Sequence, residues 1–285
     1  MATTIGNPLS WTARNIGATS RHIASATEEI GSDVAADPPH VRLLSTTDIR
    51  AALRAGWEDF QANRSDAMFA AVFYPVIGLI LFGVGMQLSL APLLFPLLSG
   101  FALLGPVAAI GLYEVSRRRE MGEPASWRHA FGVLSSPALG SIIVLGLYLA
   151  GLFCLWIIAA HGIYMATLGP DLPTSLGGFL TEVLTTGAGW TMAIIGMAVG
   201  GAFALLVLAI SVVSFPLLID RHVGVPVAVV TSVRVFRRNP EVILTWGVVV
   251  AALLVLGAIP MLLGLIVTVP LLGHATWHLY RRAVD

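Results

Sequence analysis

The sequence predicts an all-α, polytopic membrane helix bundle, and three observations carry that expectation. Apolar runs of about 20 residues, the length that crosses a hydrocarbon core, recur along the chain between short charged stretches. Only 11% of residues are charged against 56% hydrophobic, with mean hydropathy +0.85, whereas a soluble domain carries roughly a quarter charged residues. The cations are also unevenly placed, because residues 129–220 contain no Lys or Arg. Positive loops are retained on the cytoplasmic side, so such a gap is what two spans joined by an exported loop would show.

Residues 1–46 are polar and mixed, with no continuous apolar core of a secretory signal, and read as a disordered cytoplasmic tail ahead of a transmembrane domain over 47–285. Ser45 or Thr46 can cap a helix in which Ile49, Ala52, Leu53, Gly56, Trp57 and Phe60 share one face while Arg50, Arg54, Glu58 and Gln61 share the other. Spans follow at Met68–Gln87 and Leu90–Tyr113, joined by an uncharged turn. A charged inner loop from Glu114 to His129 leads to a third span, Ala138–Ala160. Gly162–Gly189, with only Asp171 and Glu182 as charges, reads as an outer loop. Trp190–Ile219 is longer than a bilayer demands, with Pro216 bending its inner end. Pro226–Asn239 repeats the amphipathic design. Val242–Trp277 reads as a hairpin broken at Gly257–Pro260, since Arg281 and Arg282 then join the other cations. The expectation is six spans as three hairpins with short amphipathic cytoplasmic helices, and both termini cytoplasmic.

An internal repeat accompanies these elements. Ala52, Phe60 and Asn63 recur at a constant offset as Ala228, Phe236 and Asn239, each set closing an amphipathic helix before a hairpin. Pro106 precedes Arg117 by the same interval as Pro270 precedes Arg281, and Phe95-Pro96-Leu97-Leu98 is echoed by Phe215-Pro216-Leu217-Leu218. Three copies of a unit made of an amphipathic helix and a hairpin account for the pattern. Repeats of this kind occur in transporters, with the site between units, and also where a packing unit is simply duplicated.

Three segments carry a resemblance to a known family: Leu43–Phe60 (LLSTTDIRAALRAGWEDF), Phe95–Glu120 (FPLLSGFALLGPVAAIGLYEVSRRRE) and Pro270–Arg282 (PLLGHATWHLYRR). Together they resemble the DUF2189 family of predicted bacterial integral membrane proteins, over about residues 40 to 282. The resemblance implies a topology and a bacterial inner membrane, and brings no established activity.

Composition excludes several chemistries. All 16 basic residues are Arg, so a Walker A lysine, a Schiff-base lysine and a pyridoxal attachment site are absent. Net charge is zero, which gives no basis for nucleic acid as a partner. The single Cys154 lies in an apolar run and reads as packing. His274 and His278, at i and i+4, share one face of the last helix and are the weak candidates for a haem or metal edge, with His129 and His222 as remote supplements. Two ligands do not make a site, so no cofactor and no catalytic residue is expected. His161 reads as a span-end anchor beside Trp156 and Tyr164, and Gly196 with Gly200 as a packing stripe. Trp57, Phe60, Arg117, Arg118, Arg119, Phe236, Arg237 and Arg238 are the candidate membrane-interface or partner contacts. The functional expectation is a non-catalytic membrane protein acting through the lipid bilayer, a membrane protein partner or a second copy. A carrier or channel for a neutral or lipid-like solute is the alternative, and a haem or metal-binding redox subunit a weaker one.

Overall fold

A computed structural model of the chain describes residues 39–62, 72–86, 90–171, 173–221 and 223–285, and these are helical almost throughout. Asn63, Gln87 and His222, which figure in the sequence reading, lie outside them. The first helix, α1 (Thr46–Ala62), starts where Asp48 Oδ2 accepts bonds from Ser45 N and Ser45 Oγ at 2.8 and 2.9 Å, satisfying donors that a helix start leaves open. Its buried stripe is Ile49, Ala52, Gly56, Asp59 and Phe60. Trp57, expected on that stripe, is 41% exposed, its ring tilted by 36° against that of Phe60 with centroids 5.4 Å apart.

Then come α2 (Phe73–Gly85) and three consecutive pieces, α3 (Leu94–Leu103), α4 (Gly105–Ala108) and α5 (Ile110–Glu120). The region read as one continuous second span is thus stepped at Leu104 and Ala109, next to Pro106, which has no N–H to continue the ladder. A short α6 (Trp127–Ala130) leads to α7 (Leu139–Thr167), which runs seven residues past the expected end of its span. The outer stretch read as a loop is largely helical: α8 (Leu176–Thr185) is capped by Ser175, whose hydroxyl accepts from Gly178 N, and Thr186 caps α9 (Gly187–Ser211) in the same way. After α9 the axis breaks at Val213 before α10 (Ser214–Asp220). Pro216 is the cause, since its ring collides with the carbonyl four residues back, which places the break ahead of the proline.

The amphipathic α11 (Val225–Arg238) passes at Asn239 directly into α12 (Pro240–Ala258), and α13 (Leu265–Ala283) closes the chain. The last apolar run is therefore two helices joined by a turn. Gly257 and Gly264 permit it: a Cβ on Gly264 would lie 2.8 Å from the Gly257 Cα, and one on Gly257 2.5 Å from Thr268 Oγ1. Met261 and Leu262 hold φ of 51° and 66° in that turn, a conformation that side chains bearing a Cβ adopt at a cost.

Among the described residues three stretches are long and apolar enough to cross a membrane, Leu139–Thr167, Gly187–Asp220 and Pro240–Ala258, and the shorter apolar helices are Pro75–Val84, Ala91–Leu103 and Leu176–Thr185. On the long stretches Ile143, Leu147, Leu155, Ile158, Ile194, Met197, Val248 and Val255 all face outward. An apolar exterior of this extent is unfavourable in water and suited to lipid. Trp156 crosses between helices: Gly200 leaves room for its ring, and its Nε1 donates to the Pro96 carbonyl at 3.1 Å. Gly196 meets nothing within 4 Å, so the glycine stripe packs at one of its two positions.

Candidate functional site at the charged end

The charged stretches, far apart in sequence, converge at one end of the bundle. There α5, α10 and α13 touch one another, α1 lies along α13, and α11 lies on α10. The chain around residue 41 reaches the same place, because Val41 and Val284 form an antiparallel bridge and Asp285 N donates to the His40 carbonyl at 3.1 Å. Attachment to the bundle thus begins at residue 40, inside the stretch read as tail.

At the centre of the charged end is Asp59, 5% exposed on the buried stripe of α1. Its Oδ2 accepts from Ser116 Oγ at 2.6 Å and from His278 Nε2 at 2.8 Å, and Arg119 Nε lies 3.3 Å from Oδ1. Ser116 is also 2.8 Å from His274 Nδ1. Because the serine gives its only proton to the carboxylate, the His274 contact requires a proton on Nδ1. His274 is wholly buried, and its Nε2 has no hydrogen-bond partner among the described residues. Burial pushes the Asp59 carboxyl upward, but the bonds from His278 and Ser116 outweigh it and hold the group below its ordinary value.

A second network ties the three converging helices. Arg281 of α13 reaches Glu120 of α5 at 3.0 Å and Asp220 of α10 at 3.2 Å. Beside it, Trp277 Nε1 donates to Glu120 Oε2 at 2.9 Å and the Tyr280 hydroxyl to Asp220 Oδ2 at 2.6 Å. Burial and the neighbouring Asp220 carboxylate push the Tyr280 phenol well up. Glu114, buried at 5% exposure, receives Arg117 and Arg118, both at 2.8 Å. Asn239 works from the other side: its Oδ1 accepts from Leu44 N at 2.7 Å and its Nδ2 donates to the Arg42 carbonyl at 3.0 Å.

The sequence-derived residues are distributed unequally over this site. His274 and His278 are brought together, but onto Asp59 and Ser116, and no group of three or more His, Cys, Asp or Glu among the described residues is placed to hold a metal ion. His129 bonds Ser126 at 2.9 Å, and His161 is exposed on α7. Arg117, Arg118 and Arg119 are engaged by acids of this chain, Phe60 is buried, Phe236 is half-buried, and Arg237 and Arg238 are exposed. Asp59 and Ser116 were missed. The available signal was a carboxylate at position i+10 from Ile49, on the apolar face of α1 rather than the polar one.

No curated protein and no solved structure matches this chain. A family model does, over residues 94–220, a region that takes in Phe95–Glu120 of the three resembling segments and ends at Asp220 of the charged end. Over that region, and in having helices apolar enough to lie in lipid, the chain is similar to DUF2189, the family described as predicted integral membrane protein.

Proposed function

We propose that this is a non-catalytic, multi-pass protein of a bacterial inner membrane, built as six spans in three hairpins with both ends cytoplasmic, and that it organises a membrane partner. One observation carries the reading. The acids and histidines that could serve chemistry at the charged end, Asp59, Glu114, Glu120, Asp220, His274 and His278, are bonded to other helices or to arginines of the same chain. Groups so engaged are poorly placed to take up a substrate. The surface left for a partner is the outward side of α1 with the stretch just before it, where Trp57 and Leu43 are exposed, 41% and 72%. Side chains of this kind are enriched at interfaces, where an aromatic body buries and its polar edge stays wet. The three-hairpin scheme is supported by the mutual contact of α5, α10 and α13, the expected closing helices of the three units.

Recovery of the tagged chain from native membranes in mild detergent tests the reading. A defined complex at fixed stoichiometry, lost when Trp57 and Leu43 are changed to Ser, is the expected result. The chain alone with a small molecule bound would overturn it in favour of a carrier. That second reading draws on the steps in α3–α4–α5, on Pro270 inside α13, and on Thr268 Oγ1, buried without a partner among the described residues.

A further inference from the structure

The arginines of the charged end divide into two populations. Arg42, Arg54, Arg117, Arg118, Arg119, Arg221, Arg281 and Arg282 each lie within reach of a carboxylate of this chain. Arg50, Arg234, Arg237 and Arg238 do not: they are exposed and have no carboxylate partner among the described residues, and whereas Arg50 stands alone on α1, the other three belong to one helix, α11. With Pro226 and Val230 these three line the exposed side of α11 at i, i+4, i+8, i+11 and i+12, so that side is apolar at its start and basic at its end. Glu241 is the one acid within four residues of them, and three arginines against one glutamate leave +2.

What lies next to this patch narrows its occupant. Asn239 joins α11 directly to α12, and the side chain of Asn239 is spent on Leu44 and Arg42, so the start of α12 has no side-chain cap. Pro240 has no N–H and Ile243 N donates to the Asn239 carbonyl, so this start leaves the N–H groups of Glu241 and Val242 and the positive end of a dipole, which favours an anion. Beyond it, Leu244, Val248 and Val255 recur on one exposed apolar face along α12. A soluble phosphate or an acidic peptide would use the arginines and leave that face idle. A phospholipid would use both.

We propose that Arg234, Arg237 and Arg238, with the uncapped start of α12, hold the phosphate of an anionic phospholipid whose acyl chains lie along Leu244, Val248 and Val255. The assignment also separates the two arginine populations by task. Arg117 and Arg118 are engaged by Glu114 of their own helix and Arg119 by Asp59 of α1, and α11 meets the headgroups. It rests on the charged end lying at the bilayer surface and is independent of any protein partner.

The full chain, reconstituted in phosphatidylcholine vesicles with spin-labelled phosphatidylcholine or spin-labelled phosphatidylglycerol, provides the test. The wild type is expected to show a motionally restricted component for both labels, stronger for phosphatidylglycerol and weakened at high salt. Arg234→Gln/Arg237→Gln/Arg238→Gln is expected to lower the preference at least about fivefold, the attraction worth roughly one arginine at an anionic surface. Arg54→Gln should leave it unchanged, and Glu241→Gln should raise it. Equal preference in the triple variant and the wild type would overturn the proposal, as would equal loss in Arg54→Gln. Displacement of the phosphatidylglycerol label by millimolar inorganic phosphate would overturn the lipid as occupant. Absence of a restricted component even for phosphatidylcholine would instead sink the bilayer placement itself.

Discussion

Asp59 sits where a carboxylate is expensive, and three neighbours stabilise it there. Removing its charge by Asp59→Asn replaces charge-assisted bonds, worth about 1.5–3 kcal/mol each, with neutral ones. The exposure of Arg119 discounts its share, so a loss of roughly 2–3 kcal/mol in the attachment of α1 is expected, seen as about 30-fold or more faster amide exchange over residues 49–60. Because the folded carboxyl titrates below its unfolded value, its stabilisation is complete above the unfolded value and is lost as pH falls through the folded one. Attachment of α1 should therefore hold at pH 5 and weaken below about pH 4. Flat protection of residues 49–60 across that window, after correction for intrinsic rates, would contradict the account. At this scale the histidine pair was legible, since i and i+4 fix a shared face before any fold is known. Its partners were not, because Asp59 and His278 are brought together only by the tertiary fold, and no local periodicity reports such a contact.

Helix boundaries divide in the same way. Ser45 with Asp48 marks the start of α1, and alternation of apolar and charged residues marks α11, so both were readable from local chemistry. The steps in α3–α4–α5 and the helical segment α8 were not, since a uniformly apolar run carries no period to show where an axis changes. The backbones of α1 and α13 approach closely at Gly56, where a Cβ would lie 2.6 Å from Ala275 N and 2.8 Å from its Cα. Backbone cannot yield as a side-chain tip can, so Gly56→Val should lift α1 from α13 and expose Arg50 and Arg54 to trypsin. A cleavage rate raised about tenfold or more corresponds to a loss above roughly 1.4 kcal/mol. Gly196→Val, whose Cβ would meet nothing within 4 Å, is the matched control and should leave cleavage unchanged.

Across the whole molecule, α5, α10 and α13 meet at the charged end, with α6 against the first, α11 against the second and α1 against the third. The first two contacts join chain neighbours, whereas the third brings the first described helix onto the last. A cyclic order of three units follows if the hairpin scheme holds, with α1 on α13 as the contact that closes it. That closure is open to direct measurement. With Cys154→Ser as background, Val41→Cys/Val284→Cys should oxidise to an intrachain disulfide, because facing positions of an antiparallel bridge fall within bonding reach. Failure to cross-link in membranes would reject the closure. The hydrogen bond from Asp285 N to the His40 carbonyl has an engineering consequence as well. Residues 285 and 40 can be spliced by a few glycines and the backbone cut instead in the exposed stretch from Gly122 to Pro124, yielding a circularly permuted protein that starts at Ala125 and keeps every helix in its place.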